Sequence, residues 1–143
     1  KKARDFHERL KELERINQEN SVRLAHIEAE DLLAAMKKKQ HHVISREFKN
    51  YPKETLRAIA DLMRERAKDS LGLLYQETRG KINYLLFVGP NLAKKHPADK
   101  LIIDITKILG GGGGGKPHLA EGGGGNPKKV ADAKAYLDKI IRE

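Results

Sequence analysis

Ten of the thirteen glycines in this chain stand in two runs, residues 110–115 and 122–125, on either side of Lys116-Pro117-His118-Leu119-Ala120-Glu121. Glycine loses more backbone entropy on folding than any other residue, so such runs are costly unless geometry demands them. One reading is a flexible linker. The other is an ordered loop that brings bare backbone N–H groups to an anion, with Gly112, Gly113, Lys116 and His118 around it. The helix-compatible interval between the runs and the Asn126-Pro127 helix start beyond them favour the ordered loop. A nucleotide-binding P-loop does not fit. Gly110-x-x-x-x-Gly115-Lys116 spells its opening, but Pro117 has no hydroxyl for magnesium, and the run follows a helix where a P-loop follows a strand.

The cations extend the anion-binding chemistry. Lys37, Lys38 and Lys39 lie together, Arg79 and Lys81 flank a glycine turn, and Lys94 and Lys95 stand just before Pro97. Lys128 and Lys129 fall in the first turn of a helix, where the dipole already disfavours positive charge unless an anion such as phosphate joins them. Lys and Arg total 29 against 20 Asp and Glu, a net charge of +9. Such a surplus concentrates polyanions and makes nucleic acid the first partner to consider. With three Phe and four Tyr, most at core-like positions, few rings remain for base stacking. Recognition of folded RNA through its backbone and shape is therefore expected over reading of single strands.

No catalytic constellation is visible, and no metal site or cofactor is expected in this chain. His7, His26, His41, His42, His96 and His118 lack ligand spacing with a carboxylate or cysteine partner. Ser21, Ser45 and Ser70 sit in no nucleophile elbow. Cysteine is absent, which excludes disulfides and fits a reducing compartment. No apolar run approaches the roughly 18 residues that span a bilayer. The chain opens on Lys1, and we expect it to be part of a longer protein.

The elements that must position these residues fall into two parts. Residues 1–40 read as a helical arm free of Gly and Pro, resembling a short coiled coil. Phe6, Leu10, Leu13, Asn17, Asn20, Leu24 and Ile27 form one seam; Val22, Ala25, Ala29, Leu32 and Met36 form a second on a neighbouring face. Asn20-Ser21 could cap a second helix there. Such a seam is too short and polar for an isolated rod, so it should pack on its own globular part or on another chain. Residues 41–143 read as a small α+β domain. It comprises a strand at Val43, Ile44 and Phe48, a helix opening after Tyr51-Pro52, and a hairpin of Leu71–Thr78 and Lys81–Val88 turning at Arg79-Gly80. A helix from Pro97 to the Gly110 stop and a last helix from Asn126-Pro127 complete it. The expectation is a three-stranded sheet packed with helices, with residues 110–125 as a glycine-rich loop.

One ordered string carries a resemblance. Leu85-Leu86-Phe87-Val88-Gly89, Asn91-Leu92-Ala93-Lys94-Lys95, Ile108-Leu109-Gly110 into the glycine run, then Lys116-Pro117, Ala120 and Gly122-Gly123, is similar to the C-terminal end of alanyl-tRNA synthetases. That C-Ala domain is related to the DHH-associated domain of some phosphoesterases and exonucleases. The resemblance covers residues 43–143, and the arm suits the family. It departs at His118, where an acidic residue is usual, and at Leu119, where methionine is usual. The resemblance implies a non-catalytic, cytoplasmic domain of an alanine–tRNA ligase. Such a domain holds the tRNA elbow so that the parent enzyme's aminoacylation and editing domains can each use the tRNA. ATP, magnesium and zinc would belong to the full-length enzyme, not to this chain. Two rival roles are a homodimerisation module of the same enzyme and the substrate-binding domain of a DHH-type phosphoesterase. The latter is disfavoured because no Asp-His-His cluster is present and no histidine directly follows the glycine run.

Overall fold

A computed structural model describes residues 2–39 and 42–142, without the side chain of Lys39. Its first element, α1 (Lys2–Lys39), is a single helix of 38 residues. The second helix that Asn20-Ser21 could have capped does not form. Asn and Ser cost a helix interior only a few tenths of a kcal/mol, and the next turns dock on the domain. Ala25, Ala29 and Leu32 of the second stripe are buried there, with Met36 packed alongside. Polar contacts hold the same stretch. The Tyr51 hydroxyl donates to Glu28 Oε1 at 2.8 Å, and Arg46 Nη1 reaches Asp31 Oδ2 at 2.5 Å and Glu28 Oε2 at 3.5 Å. Arg66 pairs with Glu30 at 3.5 Å. The other seam remains outside: residues 2–20 are all exposed, and Phe6, Leu10 and Leu13 have no cover.

Five strands, not three, form the sheet. They are β1 (Val43–Phe48), β2 (Leu71–Thr78), β3 (Lys81–Val88), β4 (Gly112–Gly115) and β5 (Leu119–Gly125), in the order β1-β2-β3-β5-β4. β1 is parallel to β2 and the other pairs are antiparallel. The glycine-rich loop of the sequence reading is thus a β-hairpin. Strand propensity argues against glycine, but β3 would otherwise leave a row of buried N–H and C=O groups without partners. β5 pairs with it from Ile82–Gly125 to Phe87–Leu119. The β2–β3 turn falls where expected, with Arg79 and Gly80 both at positive φ (55° and 81°), as a two-residue hairpin requires.

Helices cover both faces of the sheet. α1 and α2 (Lys53–Arg66) close one around Leu74, Leu85 and Phe87; α4 (Ala98–Leu109) and α5 (Val130–Arg142) close the other around Leu73, Tyr84 and Leu86. A single short turn, α3 (Pro90–Ala93), leads into α4. Burial on two sides explains why β3 reads Tyr-Leu-Leu-Phe-Val without polar interruption. Its first residues differ: Lys81 and Asn83 start the α2 side of the strand and are exposed, so α2 leaves that end bare. Asn126 caps the last helix as expected, its Oδ1 accepting from Lys128 N at 3.0 Å, although the first turn is 3-10 before α5 proper.

Candidate nucleic-acid interface

The glycine hairpin is fastened to the domain along its length. Lys116 N donates to Leu119 O at 2.8 Å and Leu119 N to Lys116 O at 3.2 Å, closing a tight turn over Pro117-His118. Pro117 O accepts from Ala98 N at 2.7 Å, the start of α4, and His118 O accepts from Val88 N at 3.0 Å. At the far end Asn126 N donates to Leu109 O at 2.7 Å. Both termini of α4 are therefore joined to the hairpin, which also meets otherwise unpaired groups of that helix. Several of its glycines are sterically required, Gly111 and Gly113 among them. Gly111 has φ +80° and a Cβ there would lie 1.9 Å from Gly123 O; one on Gly113 would lie 2.5 Å from Glu121 O. All four residues of β4 are exposed, giving the sheet an open edge of bare backbone.

The thirteen residues expected to meet RNA do not converge. Strand register sorts them to opposite ends of the sheet. Arg79 and Lys81 at the β2–β3 turn share one end with Lys128 and Lys129, which follow Gly125, the partner of Ile82. Gly112 and Gly113 begin β4 on that side. Lys116 and His118 lie at the other end with Lys94 and Lys95, through the Pro117–Ala98 bond, and with Lys37 and Lys38, where α1 runs out before β1. Lys39 ends α1, and its side chain lies outside the described residues. The eight residues of β3 separate the two ends by about 23 Å. That exceeds two Debye lengths at physiological salt, so the clusters act on an anion independently. Lys129 pairs with Asp132 at 3.9 Å.

Sequence reading missed several polar residues beside the hairpin. Arg57 of α2 grips Glu121 of β5 through Nε at 2.5 Å and Nη2 at 2.9 Å. The hydrogen bond from Arg57 holds the Glu121 carboxyl below its usual range, reinforced by the charges of Arg57 and Lys53. Lys53, Gln76 and Asn83 lie close by. The pointer in the sequence was the polar start of the period-2 face Lys81, Asn83, Leu85, Phe87, which marks a sheet face only half covered. Among the described residues no group of three His, Asp or Glu could hold a metal, and no helix is long and apolar enough to cross a membrane.

A family model of the DHHA1 domain matches residues 39–143. The chain belongs to that family. It is also similar to the solved C-Ala domain of Aquifex aeolicus alanyl-tRNA synthetase, with 33% identity and a TM-score of 0.65 over 71% of this chain and 91% of that one. Among curated proteins, the alanine–tRNA ligase of Geobacillus kaustophilus is 36% identical over 131 residues, 90% of this chain. That of Carboxydothermus hydrogenoformans is 34% identical over 134 residues, 93% of this chain. The chain spans about 15% of the length of each of these enzymes. It therefore corresponds to the C-Ala domain, a non-catalytic part of an alanine–tRNA ligase.

Proposed function

We propose that this C-Ala domain binds the elbow of tRNA and keeps the RNA within reach of the aminoacylation and editing domains of its parent enzyme. The observation that carries this reading is the fastened glycine hairpin, whose exposed backbone edge lies between two separate groups of cations. A folded RNA presents phosphates over distances of this order, and two weak contacts on one rigid body reinforce each other through effective concentration. In this reading the chain needs no cofactor of its own; ATP, magnesium and zinc serve the full-length enzyme, and the setting is cytoplasmic.

The test is binding of fluorescently labelled tRNA to the purified chain across a salt series. If about 4 phosphates are engaged, log K against log salt should slope near −3. Folded tRNA should outcompete a single strand of equal length. A flat salt response, or preference for the single strand, overturns the reading. A second role, self-association, is favoured by the uncovered seam of α1, where Phe6, Leu10 and Leu13 are 66%, 44% and 57% exposed. Sedimentation of the chain alone and with tRNA tests it. A dimer that dissociates in a Leu10→Glu, Leu13→Glu variant supports this role, and a monomer at all concentrations removes it.

A further inference from the structure

On the α2 side of the sheet a cavity of about 250 Å³ opens where the first turn of α2 leaves β2, β3 and β5 uncovered. Leu56 and Leu85 give it an apolar wall, and Lys53 stands on its rim. Gln76 is fixed, since its amide donates to Tyr51 O at 2.8 Å and accepts from Tyr51 N at 3.1 Å. Glu121 would repel a polyanion, but Arg57 occupies both of its carboxylate oxygens. Asn83 differs. Its amide lies over Gly123, with Oδ1 2.9 Å from where a Cβ would be, and it has no hydrogen bond among the described residues.

The cavity continues onto a strip without side chains. Gly114 lies opposite Glu121 and Gly112 opposite Gly123, which puts both on this face. A Cβ on either would meet nothing within 4 Å, and neither has a positive φ. Nothing among the described residues calls for glycine at these two positions, and glycine weakens a strand. Bare peptide planes beside an apolar wall accept a flat ring, and an asparagine amide offers the donor and acceptor that match a base edge. We propose that the cavity takes one unstacked nucleobase of the bound RNA. Its ring would rest on Gly112, Gly114 and Gly123, its edge would meet the Asn83 amide, and its phosphate would lie at Lys53. This rests on the RNA-binding reading and adds base capture to it. The platform is peptide rather than aromatic, so the scarcity of Phe and Tyr does not forbid it.

Two measurements on the full chain test the site. The first is a nitrogen–proton NMR titration with AMP, GMP, CMP and UMP, with ribose 5-phosphate as the baseless control. Amide shifts at Gly112, Gly114 and Gly123, and at the Asn83 side chain, with at least one nucleotide but not with the control support the site. Equal shifts with ribose 5-phosphate, or none with any nucleotide, overturn it. The second is Gly114→Val, which adds bulk in open space. Its melting temperature should stay within about 2 °C of wild type, because exposed sites away from special backbone contribute little. Its tRNA affinity should fall between about fivefold and a hundredfold, the worth of one stacked base, with the salt slope unchanged. Wild-type tRNA binding alongside an unaffected Gly114→Val variant overturns the base site and leaves the RNA-binding reading standing. A chain that binds neither tRNA nor nucleotide overturns both.

Discussion

Replacing Gly113 with alanine places a methyl carbon 2.5 Å from Glu121 O and 2.9 Å from Gly122 Cα. Both are backbone atoms, so no side chain can swing aside, and β4 must part from β5 by about half an ångström or more to reach contacts that real Cβ atoms show. β4 has four residues in the ladder. Losing two or three of its backbone hydrogen bonds, at about 0.5–1.5 kcal/mol each, costs about 1–4 kcal/mol. Because β4 is an exposed edge, this penalty is met by local opening and not by unfolding of the core. Melting should therefore change by only a few degrees. Native-state hydrogen exchange is the sensitive assay. At the Lys116 and Leu119 amides, which close the turn, exchange should quicken by roughly one to three powers of ten, while Gly114→Ala, pointing into open space, should leave it unchanged. Equal protection in the two variants would refute the steric argument. Absent protection in the wild type would mean that the segment is a tether after all.

Leu32→Ala, at a side chain 2% exposed between α1 and the sheet, should destabilise by about 2–5 kcal/mol, read by chemical denaturation; a loss under about 0.5 kcal/mol would mean that α1 is not docked there. Arg57 keeps the Glu121 carboxyl low, so the stability this pair contributes is complete above the ordinary carboxylate pKa near 4.3 and fades as pH falls through the lower folded value. The melting difference between wild type and Glu121→Gln should thus be small at neutral pH, both partners being partly exposed, and shrink below about pH 4.3; a widening gap in acid contradicts the assignment. Alanine at Arg79, Lys81, Lys128 and Lys129, or separately at Lys94 and Lys116, should flatten the salt slope of tRNA binding in each case with little change in melting. If one set does nothing, only the other end of the sheet touches RNA.

The hairpin of β2 and β3 and the boundaries of α4 were legible because their signals are local: a positive-φ pair at Arg79-Gly80, and a glycine stop after Leu109. β4 and β5 were not. Glycine carries no strand preference, and what makes these residues a strand is the unpaired edge of β3, a partner distant in sequence until the chain folds. The unbroken course of α1 past Asn20-Ser21 was hidden for the same reason, since the deciding contacts of Ala25, Ala29 and Leu32 are made with β1 and α2. For the interface, residue type marked the cations, but only strand register shows that they divide between two ends. Lys53, Asn83 and the Arg57–Glu121 pair come together across three separate elements, so no spacing along the chain announces them.

The uninterrupted course of α1 makes it a lever. Thirty-eight residues rise about 57 Å, and the nineteen exposed residues at its start account for about 28 Å of that. With no Gly or Pro to kink it, the rod carries any tilt at its seat outward undiminished. A tilt of about 5° where Arg46, Tyr51 and Arg66 hold Glu28, Asp31 and Glu30 swings the far tip, about 39 Å away along the helix, by about 3.4 Å. Those few polar contacts are the fulcrum. Anything seated on the first turns of α1 therefore has its distance from the glycine hairpin set by groups that touch neither.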